Sequence, residues 1–486
     1  MLEPVIPRLR RLAASRINPR LSLAIVAAHA ASAASAILRR GGTSLPGLVS
    51  LRIEPDCVRL LAGQLGDGSI VVAGTNGKTT TSALIADALR AGGKRVLHNR
   101  AGSNMARGIA TTLTRESGIA GNVKAASRLT GLFEVDEAAL PGVLAQVTPQ
   151  VLVLTNLFRD QLDRYGELAT TAERWGEAIR RLPSNTTLVL NADDPLVASL
   201  ADSAPGAVYH YGISSWIGAQ AGSSLLKPAL SADSLYCPRC ATGLDFSAIA
   251  YAHLGQYACP SCGFSRPVTQ LDVVVRECDV ESSVLTYSSG GVTSQCELHL
   301  PGRYNAYNAA AAVAAAIVAG VPLPLATKAI SGSRGAFGRA ERANVDGHDV
   351  RLFLIKNPTG ADEVFRVVGA GDRDATLVLL LSDNAADGED ISWIWDAQLE
   401  LLVPWTGPVL CGGTRAEDMA LRLKYAGDER TSTVVPGDVG LAVRRAVESA
   451  GSGKPVTILA TYTAMLAARA VLARGGHVEQ YWRTRK

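Results

Sequence analysis

The segment VVAGTNGKTTT, residues 71–81, decides the fold. It completes the short apolar run SIVVAG, residues 69–74, and leads into SALIADALRAGG, residues 82–93. A short apolar run bounded by turn signals reads as a buried strand. The polar-apolar stretch after it, stopped by Gly92-Gly93, reads as a helix. A glycine-rich turn between the two can aim successive backbone N–H groups at phosphate oxygens, and the helix N-terminus adds partial positive charge. The candidate phosphate-binding residues are Gly74, Thr75, Asn76, Gly77, Lys78, Thr79 and Thr80. Lys78 would reach the terminal phosphates of ATP, and Thr79 would ligate Mg²⁺. The usual spacing G-x-x-x-x-G-K-[ST] requires glycine at position 72, however, and Val72 stands there. A glycine turn without function is the plain alternative, and G-K-T-T in a strand–helix context weighs against it.

Outward from this turn the chain alternates. KRVLHN, GLFEVD, QVLVLTNL and TTLVLNADD read as further strands, with helical stretches between most of them. Strand–helix alternation implies right-handed crossovers and a parallel sheet covered on both faces. The alternation breaks near Ser231, where a small cysteine-bearing insertion covers 235–267, and RYNAYNAAAAVAAAIVAG then restores a strong helix. A glycine-rich, charged linker at 331–349 marks a change of domain. DVRLFLIK, ATLVLLLSD, GPVLCGG and PVTILATYT repeat the strand–helix pattern beyond it. The expected fold class is α/β: an N-terminal helical segment (1–50), a central P-loop parallel-sheet domain (51–335) with an inserted Cys₄ ribbon, and a C-terminal α/β domain (336–486).

The chain has 486 residues, 47% apolar and 19% charged, with a net charge of +4. Two or three domains are implied. Disorder is excluded, and the charge is too small to argue for nucleic acid. Residues 8–40, RLRRLAASRINPRLSLAIVAAHAASAASAILRR, resemble a signal peptide or membrane anchor. The run is Ala/Ser-rich and holds His29, so a packing helix with Leu21, Ile25 and Ala28 on its inner face is the preferred reading. Peripheral membrane contact is left open.

Cys237-Pro-Arg-Cys240 and Cys259-Pro-Ser-Cys262 enclose 18 residues, inside the window for paired zinc knuckles. Four thiolates on Zn²⁺ leave no open position, so the site is read as structural; a redox dithiol is the minor alternative. Cys57, Cys278, Cys296 and Cys411 are scattered, as buried free thiols are. Cys411-Gly412-Gly413 lacks the leading glycine of a nucleophile elbow, because Val409 fills that place, and His477 is remote. Cys411 is therefore read as a buried strand-end thiol.

Other candidates are less specific. Glu134 falls at a strand end, where it could hold Mg²⁺ beside Thr79 or simply face solvent. Lys356 and Asn357 end a strand of the C-terminal domain, with Lys356 a candidate catalytic residue. The loop SDNAADGEDISWIWDAQLE, residues 382–400, carries Asp383, Asp387, Asp390 and Asp396. Such a cluster could serve a site, an interface or a helix cap.

GTNGKTTT, FEVDEAAL, TNLFRDQLDRYGEL, NADDP and GRYNAYNAAAA follow one another in the order found in Mur-type ligases, which this chain resembles. The resemblance implies that ATP activates a carboxylate as an acyl phosphate, which an amine then attacks. The phosphate loop of those ligases is a G-T-[NK]-G-K-T variant, so Val72 is no defect. By the same resemblance Lys78 contacts phosphates, Thr79 and Glu134 hold Mg²⁺, Asn305 and Asn308 lie near the adenosine, and Arg339 reaches phosphate from the linker. Gln161 stands where many of these ligases have a metal-binding His, which puts a second Mg²⁺ in doubt.

HNRAGSN, the Cys₄ ribbon and the stretch from NPTGADEV to ILATYTAML resemble more narrowly the MurT family, the synthetase subunits of lipid II isoglutaminyl synthase. That resemblance implies amidation of the D-glutamate α-carboxylate of the lipid II stem peptide to D-isoglutamine, with ammonia from a GatD-type glutamine amidotransferase, in the cytoplasm at the inner face of the membrane. It also implies that an acidic residue of the 382–400 loop completes the partner's active site. Asp390 is the first choice, with Asp383, Asp387 and Asp396 as alternatives. An amino-acid-adding ligase of Mur or folylpolyglutamate type, and a nucleotide-dependent regulatory protein with a dead ligase site, are the competing readings.

Overall fold

The computed structural model describes residues 18–37, 44–99, 104–159, 168–216, 232–278, 281–333, 339–428 and 432–478. Asp160, Gln161, Asp163 and Arg164 lie outside the described residues, as does the side chain of Arg339.

The first sheet grows around β1 (Ser69–Ala73), an entirely buried strand. β3 (Leu129–Val135) and then β2 (Arg95–His98) lie on one side of it. On the other side come β4 (Val151–Leu154), β5 (Thr187–Asn191), β6 (Val208–Trp216) and β9 (Leu271–Cys278). All these neighbours pair in parallel. The sheet ends with β10 (Ser283–Ser289) and β11 (Val292–Leu298), which pair antiparallel with β9 and with each other. The strand order therefore reverses at β1, the topological switch point where open α/β sheets bind ligands. Antiparallel β9–β11 is an addition to the parallel sheet expected from the sequence.

The helix Arg303–Val318 is buried along almost its whole length. Eleven of its sixteen residues are alanine, valine or isoleucine, and it packs closely on the helix Lys78–Ala91 and on the sheet. On the opposite face lie the helices Pro19–Ile37, Leu45–Ile53, Cys57–Ala62 and Ala106–Arg115. Leu21, Ile25 and Ala28 are buried there, the inner face read from the sequence.

The cysteine-bearing insertion is a hairpin of β7 (Asp245–Tyr251) and β8 (Leu254–Ala258), with two cysteines before it and two after. It is bolted to the sheet through Asp193, which accepts from Arg266 Nε at 2.6 Å, Tyr307 Oη at 2.7 Å and the Ile213 N–H at 2.9 Å. The second sheet holds β12 (Arg339–Val345) antiparallel to β13 (His348–Leu354). Parallel strands β17 (Val456–Ala460), β14 (Thr376–Leu380), β15 (Val409–Gly413) and β16 (Thr433–Pro436) follow in that order. Cys57, Cys296 and Cys411 are buried thiols as expected. Cys278 is not: it is the last residue of β9 and is exposed, with Ser283 Oγ of β10 at 3.4 Å from its sulfur.

Candidate active site

β1 runs through Ala73, so Val72 is still strand, with its side chain buried beside Leu84 and Leu89 in the core. The phosphate loop starts only at Gly74, and a glycine at 72 would have no turn to make. Gly74 (φ 146°) and Gly77 (φ 85°) carry the turn. A Cβ on Gly74 would stand 2.0 Å from Thr155 Oγ1, and one on Gly77 1.8 Å from Asn308 Oδ1. Both positions therefore demand glycine on conformation and on space.

Neighbouring strand ends hold the loop rigid. Asn156, just past β4, accepts the Asn76 N–H at 2.8 Å and donates to its carbonyl at 3.1 Å. Thr75 Oγ1 accepts the Phe158 N–H at 3.0 Å. Asn308 donates to Asn305 Oδ1 at 3.1 Å, and Asn305 donates to the Pro301 carbonyl at 2.7 Å, so the two form one buried string on the helix Arg303–Val318. Thr80 is buried on the first turn of the helix Lys78–Ala91.

Lys78 is buried and folded back over its own loop, donating to the Gly74 carbonyl at 2.6 Å and to Glu137 Oε2 at 2.7 Å. Burial would raise the Glu137 carboxyl, but the ammonium groups of Lys78 and Lys356 outweigh it and hold the acid below its ordinary range. Thr79 Oγ1 donates to Glu134 Oε1 at 2.9 Å. Glu134 is buried, its N–H and C=O both engaged by Asn99, so the alternative of a solvent-facing strand end falls away. A hydroxyl and a carboxylate oxygen side by side at a loop suited to phosphates are the donor chemistry Mg²⁺ takes.

A cleft of about 660 Å³ opens between this loop and the C-terminal sheet. Asn76, Gly77 and Asn308 line it from one side, Lys356 and Glu363 from the other, and Tyr251 of the ribbon hairpin closes one wall. The two sides touch: Asn357 Nδ2 donates to Asn76 Oδ1 at 3.1 Å. A second bridge joins Arg159, paired with Asp233, to Asp396 at 3.3 Å.

The four aspartates of the 382–400 loop differ in what they touch. Asp383 accepts from Thr414 Oγ1 at 2.8 Å and pairs with Arg415. Asp387 is buried against the N–H and hydroxyl of Thr463. Asp396 faces Arg159. Asp390 is exposed and accepts from its near neighbour Ser392, whose N–H lies at 2.8 Å. Burial pushes the Cys411 thiol up to about 12, which leaves it no thiolate for nucleophilic chemistry.

The four knuckle sulfurs lie within 4.8 Å of one another, with Cys237–Cys262 at 3.5 Å and Cys240–Cys259 at 3.4 Å. These spacings are too long for disulfides and close to the roughly 3.8 Å edge of a tetrahedron built on Zn–S bonds of about 2.3 Å.

Two site residues were not singled out from the sequence. Glu137 lies three residues after Glu134 in FEVDEAAL, and that spacing was the available signal. Glu363 sits inside GADEV on the first turns of the helix Pro358–Gly369, where nothing local separates it from a solvated acid.

The chain matches the Mur ligase middle domain over residues 72–225 and the MurT ligase C-terminal domain over 354–465. It is 35% identical over 460 residues to the lipid II isoglutaminyl synthase (glutamine-hydrolyzing) subunit MurT of Streptococcus pneumoniae (strain ATCC BAA-255 / R6), covering 94% of this chain and 98% of that one. With its Staphylococcus aureus (strain COL) counterpart it shares 33% over 429 residues, 88% and 93% of the two chains. A pseudomurein peptide ligase type C from Methanothermus fervidus shares the fold, with a TM-score of 0.60 at 19% identity over 84% of this chain and 78% of that one.

Burial, opposed by Arg303 and Arg366, pushes Glu363 up to about 7 from an ordinary 4.5. An acid raised on folding binds its proton more tightly in the native state. Its contribution to stability is full below 4.5 and is lost as pH rises through about 7. Glu363→Gln, which cannot ionise, is expected to exceed the parent in stability at pH 8 by on the order of 1–3 kcal/mol, with the gap closing toward pH 4.5. Denaturant titrations across that range check this; parallel pH profiles would show the carboxylate to be solvated.

Proposed function

The chain belongs to the MurT family of lipid II isoglutaminyl synthase subunits, and from that premise we propose that it amidates the D-glutamate α-carboxylate of the lipid II stem peptide at the expense of ATP. The observation that carries the reading is the phosphate loop closed over by a second domain, with Lys78, Lys356 and Glu137 gathered at the junction.

One carboxylate oxygen of the peptide takes the γ-phosphoryl group, releasing ADP and leaving an acyl phosphate. Ammonia adds to the carbonyl carbon, gives up a proton and displaces inorganic phosphate, so the amide remains. Such transfers rest on positioning and on charge neutralisation. Lys78 would leave Glu137 for the phosphates when ATP arrives, and Glu137 would keep Lys356 as its counter-ion. Arg339 would add a cation from the linker, and Asn305 and Asn308 would border the adenosine. Thr79 and Glu134 would hold Mg²⁺, which would supply charge to neutralise the phosphates. A single Mg²⁺ is the reading adopted, with Gln161 in the place of a second ligand.

The relatives are named as subunit MurT of a glutamine-hydrolyzing synthase, and a subunit implies a partner. We take that partner to be a GatD-type glutaminase, because Cys411, the buried cysteine in the middle of β15 of the C-terminal sheet, has its thiol pushed up to about 12 by burial. Asp390 is the acid proposed to complete the partner's site, since Asp383, Asp387 and Asp396 are already committed within the chain. The four knuckle cysteines are proposed to hold a structural Zn²⁺, and the central domain (51–335) to give way to the C-terminal domain (336–486) at the 335/336 boundary. No helix among the described residues is long and apolar enough to cross a membrane. The work is placed in the cytoplasm, at the membrane's inner face, where the lipid-linked substrate lies.

Lys78→Ala is expected to abolish amide formation with either nitrogen source while the chain still folds, with a lowered melting temperature because Glu137 loses its nearest buried counter-ion. Asp390→Asn should lose the glutamine-dependent reaction and keep the ammonia-dependent one, because the ligase cleft is untouched. Assays of lipid II with ATP, with free ammonia or with glutamine plus the partner, decide both; equal losses for Asp390→Asn under the two conditions would remove it from the partner's site.

Metal analysis of the purified chain should find one zinc per molecule. Cys237→Ser should lose it and lower the melting temperature by several degrees, as a structural ion contributes folding energy directly. Unchanged zinc content or stability in that variant would set the structural assignment aside.

A further inference from the structure

The helix Pro19–Ile37 is apolar on opposite sides. Its inner side packs on the helices Leu45–Ile53 and Ala106–Arg115. Its outer side carries Leu23, Val26, Ala30 and Ala33 at helical spacing, with Leu23 and Val26 59% and 47% exposed. Leu45 and Leu48, on the helix packed beside it, are also exposed. A helix that is apolar all round belongs in a core or against a second non-aqueous phase. Within residues 21–37 there is no charged side chain to hold this face in water.

Charge is distributed to match. Residues 1–53 contain Arg8, Arg10, Arg11, Arg16, Arg20, Arg39, Arg40 and Arg52 against Glu3, a formal charge of +7. The whole chain carries +4, so the remaining residues carry −3 between them. The net positive charge of the chain thus comes from the segment that carries this exposed apolar face, and Arg20 and Arg52 are exposed on the described helices. An apolar stripe framed by arginines is the pattern of a helix lying in an anionic membrane interface, with side chains at the headgroup–acyl boundary and guanidinium groups on lipid phosphates.

We propose that the outer face of Pro19–Ile37, with Leu45 and Leu48, is a docking surface for an anionic lipid bilayer. It rests on the reading that the substrate is lipid-linked, since such a surface would bring the chain to the membrane in which that substrate sits. The residues involved take no part in the cleft chemistry.

The test is sedimentation of the full chain with phosphatidylcholine vesicles made with or without phosphatidylglycerol and containing no lipid II. The parent chain should bind the anionic vesicles and release them at high salt. Leu23→Glu/Val26→Glu should bind at least about tenfold more weakly, since it removes two apolar anchors and adds like charge. Both side chains are exposed, so the melting temperature should hold. The double variant should also amidate lipid II dispersed in detergent at the parent's rate. Absence of binding by the parent, or undiminished binding by the double variant, would overturn the proposal. So would a parent dimer that the double variant converts to monomer, because the face would then be an interface between copies. Failure of the parent to amidate in detergent would count against the enzymatic reading, which the vesicle arm does not use.

Discussion

Everything at this site depends on a backbone turn that only glycine can make. Gly74 and Gly77 take positive φ where Thr155 and Asn308 leave no room for a side chain. The turn is thus clamped from outside, by residues past β4 and on the helix Arg303–Val318. The clamp fixes where the helix Lys78–Ala91 begins, and so where its N-terminal amides and Lys78 stand. It also presents Asn76 to Asn357, which couples the loop to the C-terminal domain. A loop gripped this way needs little reorganisation to receive a polyanion, the condition under which electrostatic catalysis is effective.

The rest of the molecule reads as support for that turn. The ribbon hairpin is not a detached ornament: Arg266 and Tyr307 meet on Asp193, and Tyr251 reaches from the hairpin into the cleft wall. A zinc-bound knuckle would therefore stiffen the cleft as well as its own small fold. Lys78 and Glu137 form a buried pair whose partner, if removed, would leave an uncompensated charge. The pair is retained at a place where one member has an alternative anionic partner in the proposed reaction.

Much of this was legible in the sequence. β1 to β5 and the main C-terminal strands were visible because each is a short apolar run between turn residues. The phosphate loop and the paired knuckles were visible because their chemistry fixes spacing along the chain. β6, β7–β8 and β9–β11 were not, since their half-buried, polar-rich strands carry no continuous apolar run. Glu137 and Glu363 were missed for a different reason: their significance lies in which cations and aromatic rings the fold brings to them from distant segments. Cys278 was misjudged because a lone cysteine is usually a buried thiol, while its place as the last residue of β9 exposes it. Conversely, Val72 looked like a missing part only until the strand was seen to run one residue beyond it.

The central claim is that the γ-phosphoryl group of ATP passes to the substrate's own carboxylate at the clamped loop. Lipid II carrying ¹⁸O in the D-glutamate α-carboxylate tests it directly, with mass analysis of the phosphate released during amidation by ammonia. An acyl phosphate requires that each amide formed send one labelled oxygen into inorganic phosphate. Amide formation with unlabelled phosphate would mean that ATP is cleaved without joining the acid, and the account would fail.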